Sequence, residues 1–406
     1  MSAIAETSFD VPADDRLARR NARLLALTQA LAGANNTVIV STGAIVGSVL
    51  APHPGLATLP ISMMVFGMWA GTLPVGFLSK RFGRRTALQI GSLFGVLCGL
   101  ICCVAVLRGS FWLFLAGAFS AGLYASAHQS YRFAATDTAS ESFRPKAVSW
   151  VLAGGVVAGV LGPQLVIFTK DMWAPHLFAA TYIAQSATAL VAAGVLAFLH
   201  IPRPVSDPEA RGGRPLSEIA RTPRFVVAVV CGLASYSMMN LVMTSAPLAM
   251  VMCGHSVADA TLGIQWHVIA MYAPSFVAGT LILRFGIYRV VAAGLLLLAL
   301  GAVIGIAGLT VAHFWTALIL LGIGWNFAFV GATTLVTHCH RPEERNKVQA
   351  FNDFLIFGSM AIGSFSSGQI LAALGWTAVN GVVFPFILAA GALLVWLSVR
   401  ERLRVA

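Results

Sequence analysis

The chain has 406 residues, of which 58% are hydrophobic and only 10% charged, and its net charge is +11. A soluble protein of this length carries about a quarter charged residues. This chain therefore lacks the polar surface that water would have to cover, and most of it is expected to face lipid. The positive balance does not point to nucleic acid, because the cations lie in short loops between apolar runs rather than on one basic face.

Residues 1–23 are polar and mixed in charge, and they read as a flexible cytoplasmic tail. The apolar run behind them is too long for the core of a cleavable signal. A membrane-spanning helix needs roughly 20 apolar residues. Twelve stretches qualify: 24–49, 57–79, 86–107, 111–135, 147–169, 177–199, 225–252, 261–284, 287–309, 313–337, 348–373 and 376–398. Pro60, Pro74, Pro163, Pro247 and Pro274 fall inside spans, which membrane helices tolerate when neighbours re-satisfy the backbone. The Pro-, Arg- and Gly-rich stretch 201–224 is the natural linker. The expected fold is thus an all-α membrane protein with twelve transmembrane helices in two pseudo-symmetric six-helix bundles, 24–200 and 225–398, closed by a cytoplasmic tail at 399–406.

Orientation follows from the basic residues. Arg20, Arg23, Lys80, Arg144, Lys146, Arg214, Arg224, Arg345, Lys347 and Arg402 all collect on the side of the N-terminal tail, whereas only Arg108 and Lys170 lie on the other. Both termini are expected in the cytoplasm. The six cysteines (Cys98, Cys102, Cys103, Cys231, Cys253 and Cys339) fall mostly in apolar runs without paired loop spacing. They read as small packing residues rather than disulfides or zinc ligands.

One short basic turn is written twice. Gly76–Arg85 and Gly279–Arg289 share Gly-x-Leu-x-x-Arg-Phe-Gly at every fixed position, through Gly76, Arg81 and Gly83 in one copy and Arg284 and Gly286 in the other. The loops after spans 4 and 10 are also related, each running Arg-x-Lys (Arg144 and Lys146, Arg345 and Lys347) into the next span. Internal repeats of this kind are a common transporter architecture.

On these residues the chain resembles the major facilitator superfamily, whose loop between spans 2 and 3 reads Gly-x-Leu-x-Asp-Arg-x-Gly-Arg-Arg. The resemblance covers the whole chain and implies a carrier working by alternating access. Gly155-x-x-x-Gly159-x-x-Gly162-Pro163 is similar to the superfamily's antiporter motif without its closing glycine pair. Two departures stand out. Lys80 replaces the signature aspartate, and Leu115–Gly122 lacks the span 4 arginine associated with proton coupling. Tyr131-Arg132-Phe133-Ala134-Ala135, Gly324-Trp325-Asn326-Phe327 and Lys347-Val348-Gln349-Ala350-x-Asn352-Asp353-Phe354 resemble a bacterial subgroup that includes riboflavin transporters.

Polar residues concentrate in spans 1, 4, 7 and 10, which the superfamily's fold places around a central cavity. Gln29 and Asn36 lie seven apart on one face of span 1, and Tyr236 and Asn240 lie four apart in span 7. Asn36 and Asn240 fall at equivalent places in the two halves. Each suits either substrate contact or the inter-helix hydrogen bonding that asparagine provides in membranes. Tyr124, His128, Tyr131 and Arg132 form one stripe on span 4 by their spacing of four, three and four. Arg132 is a functional candidate as an intramembrane charge, with snorkelling as its plain alternative. His128 reads as a core histidine or a proton carrier. Gln265 and His267 in span 8, with Trp325 and Asn326 in span 10, add amides and aromatic faces that suit a planar heteroaromatic ligand, or ordinary packing.

Of the acids, only Asp137 and Asp353 approach a span, both at cytoplasmic ends, so no mid-membrane carboxylate is available for a proton or sodium. Asp137 is expected to pair with Arg81 or Arg84 as a gate latch. Asp353, with Gly76, Gly83, Arg284 and Gly286, is assigned to the same gating machinery. Gly322-x-Gly324 follows no strand and is no nucleotide loop, and His338-Cys339-His340 lacks the spaced partners of a zinc site.

The resulting expectation is a monomeric, multi-pass carrier in a bacterial inner membrane. It would be neither an enzyme nor a nucleic-acid binder and would need no cofactor or metal. Its partners would be the lipid bilayer and a small polar or heteroaromatic substrate, with riboflavin uptake as the leading case. Efflux of amphipathic compounds by proton antiport is the alternative within transport. A receptor or sensor that binds without translocating is the alternative of another class.

Overall fold

A chain facing lipid must satisfy every backbone polar group internally. The computed structural model, which describes residues 15–140, 143–201, 213–341 and 344–405, does this with helices among the described residues. In chain order they are α1 (Arg16–Leu50), α2 (Leu59–Phe82), α3 (Arg84–Leu107), α4 (Phe111–His128), the one-turn α5 (Tyr131–Ala134), α6 (Arg144–Thr169) and α7 (Ala179–Leu196). After the linker come the short α8 (Leu216–Ala220), then α9 (Pro223–Met252), α10 (Val257–Tyr272), α11 (Ser275–Phe285), α12 (Ile287–Ala307), α13 (Val311–Thr337), α14 (Arg345–Gly381) and α15 (Val383–Val405). By length and apolarity, nine helical stretches of the described residues can cross a membrane, or ten with the bent pair α10–α11 taken as one span. One of the nine, Lys347–Leu403, holds both α14 and α15. Each of the twelve expected stretches is helical over most of its length, three of them (111–135, 261–284 and 376–398) across two successive helices.

Several boundaries differ from expectation, each for a local reason. Residues 1–14 lie outside the described residues, but Arg16–Arg23 are helical rather than a loose tail. Ala18, Asn21 and Ala22 are fully buried there, and the Asn21 Nδ2 donates to the His200 carbonyl at 2.7 Å. Of the linker, 202–212 lie outside the described residues, whereas 213–224 hold α8 and the start of α9. The C-terminal tail is helical to Val405. Span 4 stops at His128, because Ser130 N–H donates to the Ala127 carbonyl three residues back and tightens the turn before α5. Span 8 bends by 43° between Tyr272 and Ser275, where Pro274 supplies no N–H. Gly375, at φ 78°, breaks the regular helix of α14, so the last span is carried by α15 rather than starting at 376.

Before the linker, α1 packs on α6 and α7, and α4 packs on α2 and α3; after it, α9 packs on α13 and α14, and α12 on α13. The two sets meet along α6–α10 and α2–α14. The glycines of α6 explain the first of these lines. A Cβ on Gly154 or Gly162 would lie 2.2 or 2.7 Å from the Ala26 or Ala34 carbonyl of α1. On another face, a Cβ on Gly155 or Gly159 would come within 3.1 or 3.0 Å of Tyr272 or Val268 of α10. Small residues are what allow helices in lipid, where no hydrophobic drive joins them, to approach this closely. The outer helices carry the opposite pattern. Leu93, Leu97 and Leu100 on α3, Leu296 and Leu300 on α12, and Leu388 and Val395 on α15 are exposed apolar side chains, as a lipid-facing surface requires.

The duplicated turn has one backbone form in both copies. Gly83 sits at φ 86°, ψ 155° and Gly286 at φ 86°, ψ 151°, a region open essentially to glycine alone. Beside it, Arg81 lies 5.4 Å over the Phe82 ring and Arg284 lies 5.3 Å over Phe285. The copies then diverge. Arg84 Nε pairs with the Asp137 carboxylate at 2.6 Å. At the equivalent of Arg84–Arg85 the second copy has Ile287–Tyr288, and the Tyr288 hydroxyl donates at 2.5 Å to Glu401, which also accepts from Arg224 at 2.8 Å. Arg84 and Asp137 both precede the linker, so their ion pair ties α3 to the turn after α5 rather than one helix set to the other.

The end of the linker is anchored by Glu344, whose side chain is fully buried. Its carboxylate accepts from Arg214 Nε at 3.0 Å and Nη2 at 2.9 Å, and from the backbone N–H groups of Arg214 and Arg341 at 2.7 and 2.9 Å. The Arg214 side chain first, then the Arg341 N–H, holds this carboxyl well below the usual carboxylate range.

Two outcomes follow from these contacts. Gly83→Ala and Gly286→Ala should each destabilise the protein by about 1–3 kcal/mol, seen as a lower thermal midpoint in detergent, while Gly76→Ala, where a Cβ meets nothing within 4 Å, should be neutral. Because Glu344 is shifted downward, its contribution is complete above the ordinary glutamate value of 4.5 and declines only as pH falls through the depressed value. Glu344→Gln should therefore lower the midpoint at pH 7, with the same gap from wild type persisting to pH 5.

Candidate functional site

Between the two helix sets lie two contiguous cavities that share Gln29, His128, Gln129, Tyr236 and Tyr272. The inner one, of about 80 Å³, is flanked by Asn36 of α1 and Asn240 of α9. The other, of about 320 Å³, runs toward the end of the molecule that carries the basic turns, where Arg132, Thr333 and Asp353 line it. Arg132 and Thr333 are exposed there, so the space is reached from the basic end. At the opposite end the sets touch. Gln369 Nε2 donates to the Gly55 carbonyl at 2.8 Å, Ser62 Oγ donates to Ser364 Oγ at 3.1 Å, and Gln164 Nε2 donates to Gln265 Oε1 at 2.9 Å.

Aromatic side chains form one wall. Trp325 and Phe329, one turn apart on α13, stack at 5.3 Å with an interplanar angle of 12°. The Tyr236 ring of α9 stands edge-on to both, at 5.1 and 4.8 Å. Offset stacks and edge-to-face pairs are the favourable geometries for such rings. Asn326, next to this wall, has a second task. Its Nδ2 donates to the Met271 carbonyl at 2.7 Å and to Ser275 Oγ at 2.6 Å. Met271 lies four residues before Ser275, across the bend of α10–α11. The amide thus holds a carbonyl that the broken helix leaves free.

Several polar atoms at the cavity have no protein partner. These are Asn36 Oδ1, both ring nitrogens of His128, Trp325 Nε1 and Asn326 Oδ1. Buried polar groups are nearly always hydrogen-bonded, and exceptions need a reason. These five atoms belong to residues that line one apolar and aromatic space. That is the usual composition of a small-molecule site.

The structure brings together Asn36, His128, Arg132, Tyr236, Asn240, Trp325, Asn326 and Asp353 at the two cavities. It does not bring the other expected contacts there. Tyr124 and Tyr131 are buried in the core of the first helix set with Leu25, Leu88 and Val151. The tightened turn at Ser130 breaks the stripe that an ideal helix would have carried past His128. His267 is a buried packing histidine whose Nδ1 meets the Leu318 carbonyl at 2.7 Å. Gln265 belongs to the contact between α6 and α10. Asp353, expected at a cytoplasmic span end as part of the gating machinery, lines the larger cavity with Arg132.

Some lining residues went unselected from sequence. Met64 and Met68 on α2, Met239 and Met243 on α9, Met271 and Met360 surround the inner cavity. The first two pairs are each four apart, so each lies on one helix face. That spacing was a usable signal. Thioethers are polarisable and adaptable, and they pack well against aromatic ligands. Tyr272, an aromatic residue of the same span as Gln265 and His267, lines both cavities.

The sequence model described as Major Facilitator Superfamily matches residues 25–274 and 231–406. The chain is 48% identical over 376 residues to the riboflavin transporter RfnT of Brucella anthropi, covering 92% of this chain and 94% of that one. It is 29% identical to the MFS-type transporter YddS of Bacillus subtilis, over 92% and 90% of the two chains. In structure it is similar to a bacterial homologue of the human lysosomal transporter Spinster, in two inward-facing crystal structures. The unoccupied form gives a TM-score of 0.70 at 15% identity over 93% of this chain and 96% of that one; the occupied form gives 0.67 at 16% over 92% and 95%.

Two of the asparagines of the site, Asn36 and Asn326, separate binding from stability. Asn326→Ala leaves the Met271 carbonyl unpaired and should destabilise by about 1–3 kcal/mol, read as a lower thermal midpoint. Asn36→Ala removes an amide whose oxygen has no protein partner and should leave the midpoint unchanged while weakening substrate binding.

Proposed function

The chain belongs to the Major Facilitator Superfamily and is a transmembrane transporter, and we propose that its substrate is riboflavin or a closely related planar heteroaromatic solute, taken up into the cytoplasm by alternating access. The observation that carries this reading is the set of unpaired buried polar atoms around the stacked Trp325–Phe329 pair and the edge-on Tyr236. A fused heteroaromatic ring offers faces to stack on and an edge rich in donors and acceptors. It would complete the hydrogen bonds of Asn36, His128 and Asn326. The volume of about 320 Å³ suits one such ring system. The extensive identity with a relative that is a riboflavin transporter supports the same assignment.

The excess of Lys and Arg on the side of the basic turns supports placing that end in the cytoplasm, in a bacterial inner membrane. On this placement the cavity described here is the inward-open form, and the Gly55–Gln369, Ser62–Ser364 and Gln164–Gln265 contacts form the outer seal. The two helix sets rock about the site, and the seal parts as the basic end closes. Arg132 and Asp353, which line the mouth from opposite sets, are the groups that approach one another in that closure. Asp353 and His128 are the titratable groups available should transport be coupled to protons.

Uptake of labelled riboflavin into proteoliposomes, with and without an inwardly directed proton gradient, tests the proposal. Accumulation that unlabelled riboflavin competes away is the expected result, and its absence, together with no quenching of flavin fluorescence by the purified protein, rejects the substrate. Trp325→Ala and Tyr236→Ala should each weaken binding about ten-fold, the loss of an aromatic contact worth about 1–1.5 kcal/mol.

A further inference from the structure

A cavity of about 530 Å³ lies at the basic end of the second helix set, remote from the residues that line the substrate cavity. It lies where three spans end, between the N-terminus of α9 and the C-termini of α13 and α15. Arg214, Arg224, Arg341, Arg400 and His340 line it, against one lining carboxylate, Glu401.

The charges there are not balanced. Glu401 is shared by Arg224 and the Tyr288 hydroxyl, and Glu344 is committed to Arg214. Among the described residues, neither Arg341 nor Arg400 has a carboxylate partner; Arg400 lies 5.1 Å over the Trp396 ring. His340 Nδ1 meets the Arg341 carbonyl, but its Nε2 is buried with no partner. Two guanidinium groups with no carboxylate partner among the described residues, and an imidazole nitrogen with no partner, make a site that favours an anion with several acceptor oxygens, and Arg is the side chain best matched to phosphate.

The surroundings decide the kind of anion. Val226 follows Arg224 on α9, and Val399 and Leu403 flank Arg400 on α15; all three are exposed and apolar. Trp396 is also half-exposed, and tryptophan is favoured at the level of lipid headgroups. A soluble anion has no use for such a border. Acyl chains do. We propose that this cavity binds the headgroup phosphate of an anionic phospholipid from the leaflet at the basic end, with its acyl chains lying along α9 and α15. Basic pockets between membrane helices are known to serve in this way.

The test uses the full-length protein in nanodiscs of phosphatidylcholine containing a minor fraction of phosphatidylglycerol, released into the mass spectrometer so that retained lipids are counted. Wild type should retain phosphatidylglycerol in preference to phosphatidylcholine. Arg341→Gln/Arg400→Gln should lose that preference by about ten- to thirty-fold, and Arg341→Gln alone should show a smaller loss. Arg289→Gln, which removes an exposed cation at the same end but outside the cavity, should retain lipid as wild type does. Equal retention of both lipids by wild type, or wild-type preference in the double variant, overturns the proposal. Loss of the lipid to millimolar inorganic phosphate also overturns it, by assigning the site to a soluble anion. None of these readings involves the transported substrate, so they stand or fall separately from it.

Discussion

The closeness of α6 to its neighbours on two sides is the constraint on which the rest of this structure depends. Gly154 and Gly162 let α1 lie against α6 at backbone distance, and Gly155 and Gly159 let α10 of the other set do nearly the same. In lipid, association is driven by packing and hydrogen bonding rather than by water exclusion. A glycine face is therefore both the means of contact and its limit. The α6–α10 line has little to hold it beyond close packing and the Gln164–Gln265 bond. A contact of that kind is able to form and part, as a carrier requires.

The substrate cavity reflects the opposite condition. Some amides and hydroxyls of the spans are paired: the Asn35 Nδ2 with the Gln185 carbonyl, Thr42 with Tyr182, and, at the cavity itself, the Asn240 Nδ2 with the Met360 carbonyl. Asn36 Oδ1, the His128 ring, Trp325 Nε1 and Asn326 Oδ1 are left open there. In the proposed function these unpaired atoms are the ones that the ligand satisfies. The methionines of the inner chamber and the ring stack of the outer one supply contact that adapts in shape, while the amides and His128 supply direction. Arg132 and Asp353 give the mouth its charge.

The duplicated turn shows how one backbone solution outlives its side chains. Gly83 and Gly286 share φ and ψ, and both preceding Arg–Phe pairs keep the same stacked form. Yet the partners differ completely: an arginine–aspartate pair in one half, and a tyrosine–glutamate–arginine chain in the other. The backbone requirement at the glycine is local and unforgiving. The polar anchoring is replaceable, because any group that fixes the same helix end serves.

Much of this protein was legible in its residues. The apolar run lengths placed the helices, the Lys and Arg distribution marked one end, and the repeated Gly-x-Leu-x-x-Arg-Phe-Gly announced the duplication, because each follows from the solvent that a segment must meet. Asn36, Tyr236, Asn240, Trp325 and Asn326 could be chosen from the polar content of spans expected near the centre. Other outcomes depended on tertiary structure. Tyr124 and Tyr131 are taken into the core of the first helix set by Leu25, Leu88 and Val151, the second of them beyond the tightened turn at Ser130. Asp353 shares the cavity with Arg132 of the other helix set, a juxtaposition that only packing brings about. Asn326 reaches across to hold the bend of α10–α11 at Pro274. A sequence pattern specifies which face a residue occupies on an ideal helix; which helix lies opposite, and where the ideal fails, is settled only when the helices pack.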